Sequence, residues 1–555
     1  MDQLKSNSAN SCPLTPLGFL ERAAIVYGES TSIVYNNSTY TWSQTHRRCL
    51  RLASSLVSSF GVQRGQVVSV VAANIPAMYE LQFAVPMSGA VLNNINTRLD
   101  ACTLFNLLTH SESKLVFVDS FFSSLVLEAV SMFSKPPVLV LIVDDNDDAS
   151  PTVDFITTYE EMVENGDSDF KWVRPKSEWD PIVLNYTSGT TSHPKGVVHC
   201  HRGIYLVTVD YLVNWAIPKN PVYLWTLPIF HSNGWSFPWG MAAVGGTNIC
   251  LRKVDAAKIY RLIKQHGVTH MCGAPVLFNI LTNSPHSEPL KNPINFMTGG
   301  SPPPVPMIVK AESLGFIVTH AYGLTEVAGP VVTCAWKQQW DNLPPTERAR
   351  LKARQGVRTA GVTAVDVVDA ETGGSVKRDG YTVGDIVLKG GCVMLGYLKD
   401  QVATSACIRE NGWFYTGDLG VMHQDGYLEI KDRSKDVIIS GGENINSIEV
   451  ESVVHTNTAV NEVAVVAKPD EFWGETPCAF VSLKSDVVIT EKEIIEFCRE
   501  RMAHYMVPKR VVFMEELPKT STGKIQKYLL RQIAKTLARE GNPLNGYDGM
   551  VPSAT

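Results

Sequence analysis

Up to about residue 430 the chain repeats one pattern: short uninterrupted apolar runs bounded by Gly, Pro or Asp, separated by longer amphipathic stretches. The runs lie at 67–72, 114–119, 138–144, 182–186, 222–227, 269–272, 294–297 and 316–320. A strand wetted on one side alternates polar and apolar residues, whereas these do not, so both of their faces are buried. That predicts an α/β fold in which doubly wound, largely parallel sheets carry helices on both faces. Residues 384–397 are Gly-rich and strand-like, which predicts a small barrel or antiparallel sheet. After Arg433 the character changes. Residues 462–467 and 478–483 read as strands, and Thr490 opens a capping box with Glu493 ahead of the helix face Ile494, Ile495, Phe497 and Cys498. At 555 residues the chain exceeds what one core supports. The expected division is a large N-terminal domain at 1–432, a smaller α+β domain at 433–540 and a Gly/Pro/Asn-rich tail at 541–555.

A net charge of −6 argues against a nucleic-acid binder, which needs a basic surface, but leaves room for small anions held by a few local cations. The eleven cysteines show no CxxC pair and no metal-ligand spacing, as expected of free thiols in a reducing compartment. The first residues lack an apolar signal core, and no run of about 18 apolar residues offers a membrane span. The final Ser553-Ala554-Thr555 is not a Ser-Lys-Leu address, so the expected compartment is the cytoplasm, with the peroxisome less favoured. The N-x-[ST] patterns at Asn36, Asn37 and Asn185 carry no meaning without secretion.

Several of the predicted strands run directly into loops rich in Gly, Ser, Thr and Pro, after Tyr186, Met297 and Ala321. Ligands of open α/β sheets bind outside the carboxyl ends of the strands, so these loops are expected to share one crevice. The first is Thr187-Ser188-Gly189-Thr190-Thr191-Ser192-His193-Pro194-Lys195-Gly196. Hydroxyls and amides donate to phosphate oxygens, Gly189 admits close backbone approach, and Lys195 supplies charge. It is not a Walker A loop, because the lysine precedes the second glycine and no G-K-[ST] follows. In Gly299-Gly300-Ser301-Pro302-Pro303 the glycines let a flat ring lie against the backbone. In Tyr322-Gly323-Leu324-Thr325-Glu326 the carboxylate suits magnesium, the hydroxyl suits a phosphate and the ring suits a base. Tyr415-Thr416-Gly417-Asp418 offers a carboxylate for two ribose hydroxyls. Asp432-Arg433-Ser434-Lys435-Asp436 reads alone as a charged linker, and Lys524, in a Ser/Thr/Gly loop before an amphipathic helix, could bridge a carboxylate and a phosphate.

Five of these segments, 187–196, 322–326, 415–418, 432–436 and the Lys524 loop, in this order resemble the adenylate-forming superfamily of acyl- and aryl-CoA ligases, beetle-luciferase-like enzymes and peptide-synthetase adenylation domains, over about residues 16–531. The segments at 225–235 and 439–445 are similar to plant acyl-activating enzymes, which include butyrate-, benzoate- and cinnamate-CoA ligases. Ile439 stands where luciferases and hydroxycinnamate ligases usually carry lysine, which disfavours both activities. The resemblance implies a ligase that uses ATP, Mg2+ and coenzyme A to convert a small or medium carboxylic acid to its thioester through an acyl-adenylate. An aryl-CoA ligase, or an adenylating enzyme with another acceptor, is the alternative. It implies catalytic roles for Lys524, Thr325, Glu326 and Lys435, with Glu326 also holding the metal. Cofactor contacts fall on Thr187, Ser188, Gly189, Thr190, Thr191, Lys195, Gly300, Ser301, Pro302, Tyr322, Asp418, Arg433, Gly441 and Gly442. His231, Asn233, Gly234 and Trp235 fall on the acyl pocket. It further implies that the C-terminal domain is mobile about a hinge at Lys435.

Overall fold

The computed structural model describes residues 7–144, 154–187, 194–433, 435–485, 487–520 and 523–539. The chain divides into two compact units. The larger comprises Met1–Thr416, Met422–Glu429 and Ser521–Gly523, and the smaller Gly417–Val421, Ile430–Thr520 and Lys524–Thr555.

The larger unit holds two big, largely parallel sheets, as the uninterrupted apolar runs predict. In one, Pro181–Tyr186, Val91–Asn94, Val67–Val71, Leu115–Asp119 and Val138–Ile142 run side by side in parallel. Gly196–Cys200 and Gly396–Tyr397 extend the Pro181–Tyr186 edge as antiparallel strands. In the other, Val222–Leu224, His270–Gly273, Ile294–Thr298 and Phe316–Leu324 are parallel, and Gly329–Thr333 turns back against the last. The uninterrupted apolar runs are buried on both faces, as in Leu115–Asp119 and Val91–Asn94, where every residue is buried. Val362–Val368 and Gly384–Gly390 form an antiparallel ladder, the expected small antiparallel element.

In the smaller unit Val460–Asp470 and Gly474–Leu483 pair antiparallel and Arg510–Phe513 joins in parallel. The strand period of two splits its core: Val463 and Val465 face one cluster with Ile494 and Cys498, and Ala464 and Val466 face another with Leu530 and Ala534. Helix Lys527–Arg539 thus docks through residues four apart. The Thr490–Glu493 capping box opens helix Glu491–Arg499 as expected. All eleven cysteines are free, and among the described residues no helix is long and apolar enough to cross a membrane.

Four histidines of the larger unit, His199, His201, His270 and His320, are buried. Burial lowers each pKa to about 4. Burial keeps both His199 and His320 neutral even though His199 Nε2–H donates to the Thr325 carbonyl at 2.7 Å and His320 Nδ1–H to the Ala353 carbonyl at 3.0 Å, contacts that favour the charged form. Between pH 6.5 and 4 the unfolded chain binds protons that these rings refuse, so stability falls as pH drops through that window, by at most about 3 kcal/mol per ring. Melting curves should show a midpoint that declines steeply from pH 6.5 to 4. A midpoint flat across that range would contradict the neutral assignment.

Candidate active site

In the larger unit the site is built where strands end. Pro181–Tyr186 and Gly196–Cys200 form a hairpin, and its hydroxyl-rich loop begins at Thr187. Residues Ser188, Gly189, Thr190 and Thr191 lie outside the described residues, but both sides of the neck are described. Thr187 N donates to Lys195 O at 3.0 Å, and Lys195 N donates to Thr187 Oγ1 at 3.3 Å. The Lys195 ammonium is 4.7 Å from the centroid of the Tyr397 ring, and the Tyr397 hydroxyl donates to Glu326 Oε1 at 2.8 Å. One side chain therefore joins the loop's lysine to the carboxylate of the second motif. The backbone is laced the same way: Met394 N donates to Glu326 O at 2.8 Å and Leu398 N to Gly196 O at 2.7 Å. Burial, reinforced by the Glu326 carboxylate, pushes the Tyr397 phenol far above its usual range, so it stays protonated as a donor.

Thr325 and Glu326 sit on the short turn Thr325–Val327 directly after strand Phe316–Leu324. His199 fixes that turn through the Thr325 carbonyl. The hairpin formed with Gly329–Thr333 shifts register between Tyr322 and Gly323. At Gly323 the strands approach so closely that a Cβ would lie 1.8 Å from Gly329 O, so only glycine fits. Strand Ile294–Thr298 is the parallel neighbour, with Thr298 opposite His320. The turn carrying Gly300, Ser301 and Pro302 therefore leaves the sheet at the same end as the buried Tyr322.

The segment His231–Trp235 has an unusual backbone. Five consecutive residues, Ser232 to Ser236, have φ of 39°, 43°, 52°, 52° and 63°. Left-handed conformation costs roughly 1–2 kcal/mol for each residue with a side chain, so its surroundings must impose it. They do so through buried amides. Asn233 Nδ2 donates to Gln82 Oε1 at 2.8 Å, and Asn233 Oδ1 accepts from Asn185 Nδ2 at 2.6 Å. Both ends of the Asn233 side chain are thus committed to the protein, which ties this segment to the strand leading into Thr187. Gly234 packs so closely on Trp225 that a Cβ would lie 2.7 Å from the indole. Of the aromatics that follow, Phe237 stacks into a core of Tyr211, Trp215 and Tyr223, and Trp239 donates to the Gln82 carbonyl. Trp235 alone borders the strand-end loops: its ring edge is 3.3 Å from a Cβ built on Gly299, and its backbone 3.4 Å from one built on Gly329.

The remaining residues gather in the smaller unit. Arg433 Nε lies 3.2 Å from Asp418 Oδ1. Lys435 has its pKa lowered to about 8 by desolvation, with Arg433 and Arg531 pressing the same way against Asp436 and Asp418. Gly441 and Gly442 occupy left-handed conformations at φ 59° and 89°, and Gly441 lies against Trp473, whose carbonyl accepts from Gly441 N at 2.8 Å. Lys524 closes a tight loop: Thr520 N donates to Lys524 O at 2.6 Å and Lys524 N to Thr520 Oγ1 at 3.1 Å.

Tyr397 was not signalled by any motif; its only mark is that it follows a glycine in a short strand at the sheet edge.

A lysine-bearing hydroxyl loop fastened beside a carboxylate at the carboxyl ends of parallel strands defines a phosphate-handling α/β enzyme. The chain belongs to the AMP-binding enzymes: the family model of that description matches residues 20–398, and the AMP-binding enzyme C-terminal domain matches residues 449–524. It is 63% identical to the 2-methylpropanoate–CoA ligase of Humulus lupulus, over 96% of this chain and 98% of that one. It is 64% identical to a protein of Arabidopsis thaliana named "Probable acyl-activating enzyme 5, peroxisomal", over 97% of this chain and 99% of that one. Among solved structures, the o-succinylbenzoate CoA synthetase of Bacillus subtilis in complex with its acyl-adenylate intermediate matches with a TM-score of 0.77 and 26% identity, over 92% of this chain and 97% of that one.

Proposed function

We propose that the chain is an acid–thiol ligase that joins a short aliphatic carboxylic acid to coenzyme A through an acyl-adenylate, consuming ATP and releasing AMP and pyrophosphate. The observation that carries this reading is the linkage of Lys195, Tyr397 and Glu326 at the strand ends of a chain that matches the AMP-binding enzymes along most of its length.

A carboxylate and the α-phosphate of ATP are both anionic, so catalysis needs positive charge where they meet. In this reading Lys524 supplies it, with the 187–191 donors and Lys195 on the outer phosphates. Thr325 holds the α-phosphate. Asp418 and Arg433 fix the ribose, and Gly300, Ser301, Pro302 and Tyr322 hold the adenine. Glu326 fits the magnesium that accompanies ATP: a lone carboxylate suits a hard cation whose other ligands are phosphate oxygens and water, and among the described residues no cluster of three or more potential metal ligands exists. When bound, that ion would neutralise phosphate charge beside the carboxylate that holds it. The domains expected from the sequence at 1–432 and 433–540 then act as two bodies about Lys435, bringing Gly441 and Gly442 to the thiol for the second step.

Trp235, with Gly299 and Gly329 beside it, forms a bulky wall suited to a short acyl chain, and the relative named for 2-methylpropanoate favours the same class. The name of the Arabidopsis relative widens the expected compartment from the cytoplasm to the peroxisome as well. A panel of acetate to decanoate, branched short acids, benzoate and cinnamate, each with ATP, magnesium and coenzyme A, tests the reading. Four- and five-carbon acids should lead benzoate by at least about tenfold in kcat/KM, since each well-placed methylene is worth roughly 1–3 kcal/mol. Faster turnover of benzoate or cinnamate would overturn the acid assignment, and pyrophosphate release without thioester for every acid would overturn the acceptor.

A further inference from the structure

Three residues after Lys524, a lysine occupies a place where a cation is disfavoured. Lys527 is the first residue of helix Lys527–Arg539, at the positive end of the helix dipole, and its side chain is only 17% exposed. Burial works against its charge, yet Glu451 and Asp432 outweigh burial and hold the ammonium protonated above the ordinary lysine range. The ammonium lies 2.7 Å from Glu451 Oε1, which also accepts from Val465 N at 2.7 Å, and it donates to Ser447 Oγ at 2.6 Å. Ser447 passes the link on: its hydroxyl and its backbone N–H donate to the buried Asp432 Oδ2 at 2.7 and 2.8 Å.

Asp432 is three residues before Lys435. On the other side of Lys435, Asp436 pairs with Arg531. Lys527 and Arg531 are four apart on one helix and share a face. A single helix face therefore grips the chain on both sides of Lys435, directly at Asp436 and through Ser447 at Asp432. A buried ion pair adds little net stability because desolvation offsets its attraction, so stability alone is a weak reason to keep one here.

We propose that Lys527 is a positioning residue for Lys524: with Arg531 it fastens the helix that follows Lys524 to the segment Asp432–Asp436, and this sets where the Lys524 loop stands for adenylation. This rests on the roles given above to Lys524 and Lys435. The two half-reactions are measured separately on the full chain, adenylation by pyrophosphate exchange and thioester formation from supplied acyl-adenylate. Lys527→Met should lower kcat for adenylation by about 10- to 100-fold, with the KM for ATP and acid changed less than about twofold, because a misplaced group loses rate without losing ground-state binding. Thioester formation from the adenylate should stay within about twofold, and Lys527→Arg should recover much of the lost rate. Ser447→Ala removes only the hydroxyl relay and should give a smaller loss of the same kind, which keeps the test open if Lys527→Met does not fold. Parallel decline of both half-reactions with a lowered melting midpoint would reduce Lys527 to a structural anchor and overturn the proposal. So would intact adenylation in Lys527→Met alongside its loss in Lys524→Ala. Intact adenylation in Lys524→Ala itself would instead overturn the catalytic assignment on which the proposal stands.

Discussion

Lys524→Ala is expected to slow adenylate formation by about 10²–10³-fold, the cost of removing one charge-stabilising group from a preorganised site. The step brings a carboxylate against a polyphosphate, and the removed ammonium is the group assigned to the point where the two anions meet. Its loop is built to hold it. The two hydrogen bonds between Thr520 and Lys524 close the turn, and Lys519, at the base, pairs with Glu462 at 2.8 Å. Truncating the side chain leaves those backbone bonds in place, so the loss should be chemical, with the melting midpoint unchanged. Thioester formation from supplied acyl-adenylate should be nearly unaffected, because the ammonium has no charge to neutralise in that step. Pyrophosphate exchange and single-turnover thioester assays on the same preparation check both halves. Adenylation within about threefold of the parent would remove Lys524 from the mechanism.

What the sequence revealed and what it hid follow the range of the interactions. Strands such as Leu115–Asp119, Val138–Ile142 and Ile294–Thr298 begin or end within a residue or two of the apolar runs that announce them, because burial on both faces leaves a local signature. The Thr490 cap was legible for the same reason: both partners lie within four residues. Tyr397 was not, since its meaning comes from Lys195 and Glu326, each dozens of residues away, and a Gly-Tyr pair in a short strand carries no periodic mark. Asn233 was expected in an acyl pocket, but its side chain is committed to Gln82 and Asn185, an arrangement no local pattern announces. The left-handed run from Ser232 to Ser236 was equally hidden, because local preferences oppose it and only tertiary contacts impose it. The network from Asp432 through Ser447 and Lys527 to Glu451 joins three segments far apart in the chain, and no local pattern announces the pairing.

Lys435→Pro should leave adenylate formation within about threefold while cutting thioester formation by at least about 100-fold, a split that only a pivot predicts. A hinge must absorb a large change in backbone dihedrals at very few residues, and proline fixes φ near −65° and removes the N–H donor. If the adenylating arrangement tolerates that φ, the first half-reaction proceeds and the second is stranded with its adenylate bound. The residue's surroundings suit a pivot. Strand Leu428–Arg433 ends just before it and strand Ile438–Ser440 begins just after it, so the freedom is confined to a few positions between rigid elements. Lys435→Ala is the control, because it removes the ammonium and leaves the backbone free. Its thioester rate should fall far less than that of the proline variant, even though it loses an ammonium whose pKa burial already lowers to about 8. Quenched-flow measurement of adenylate build-up and thioester release in the two variants separates these outcomes. Equal loss of both half-reactions in Lys435→Pro, or equal thioester loss in both variants, would mean that the side chain or the fold, and not the backbone rotation, limits the second step.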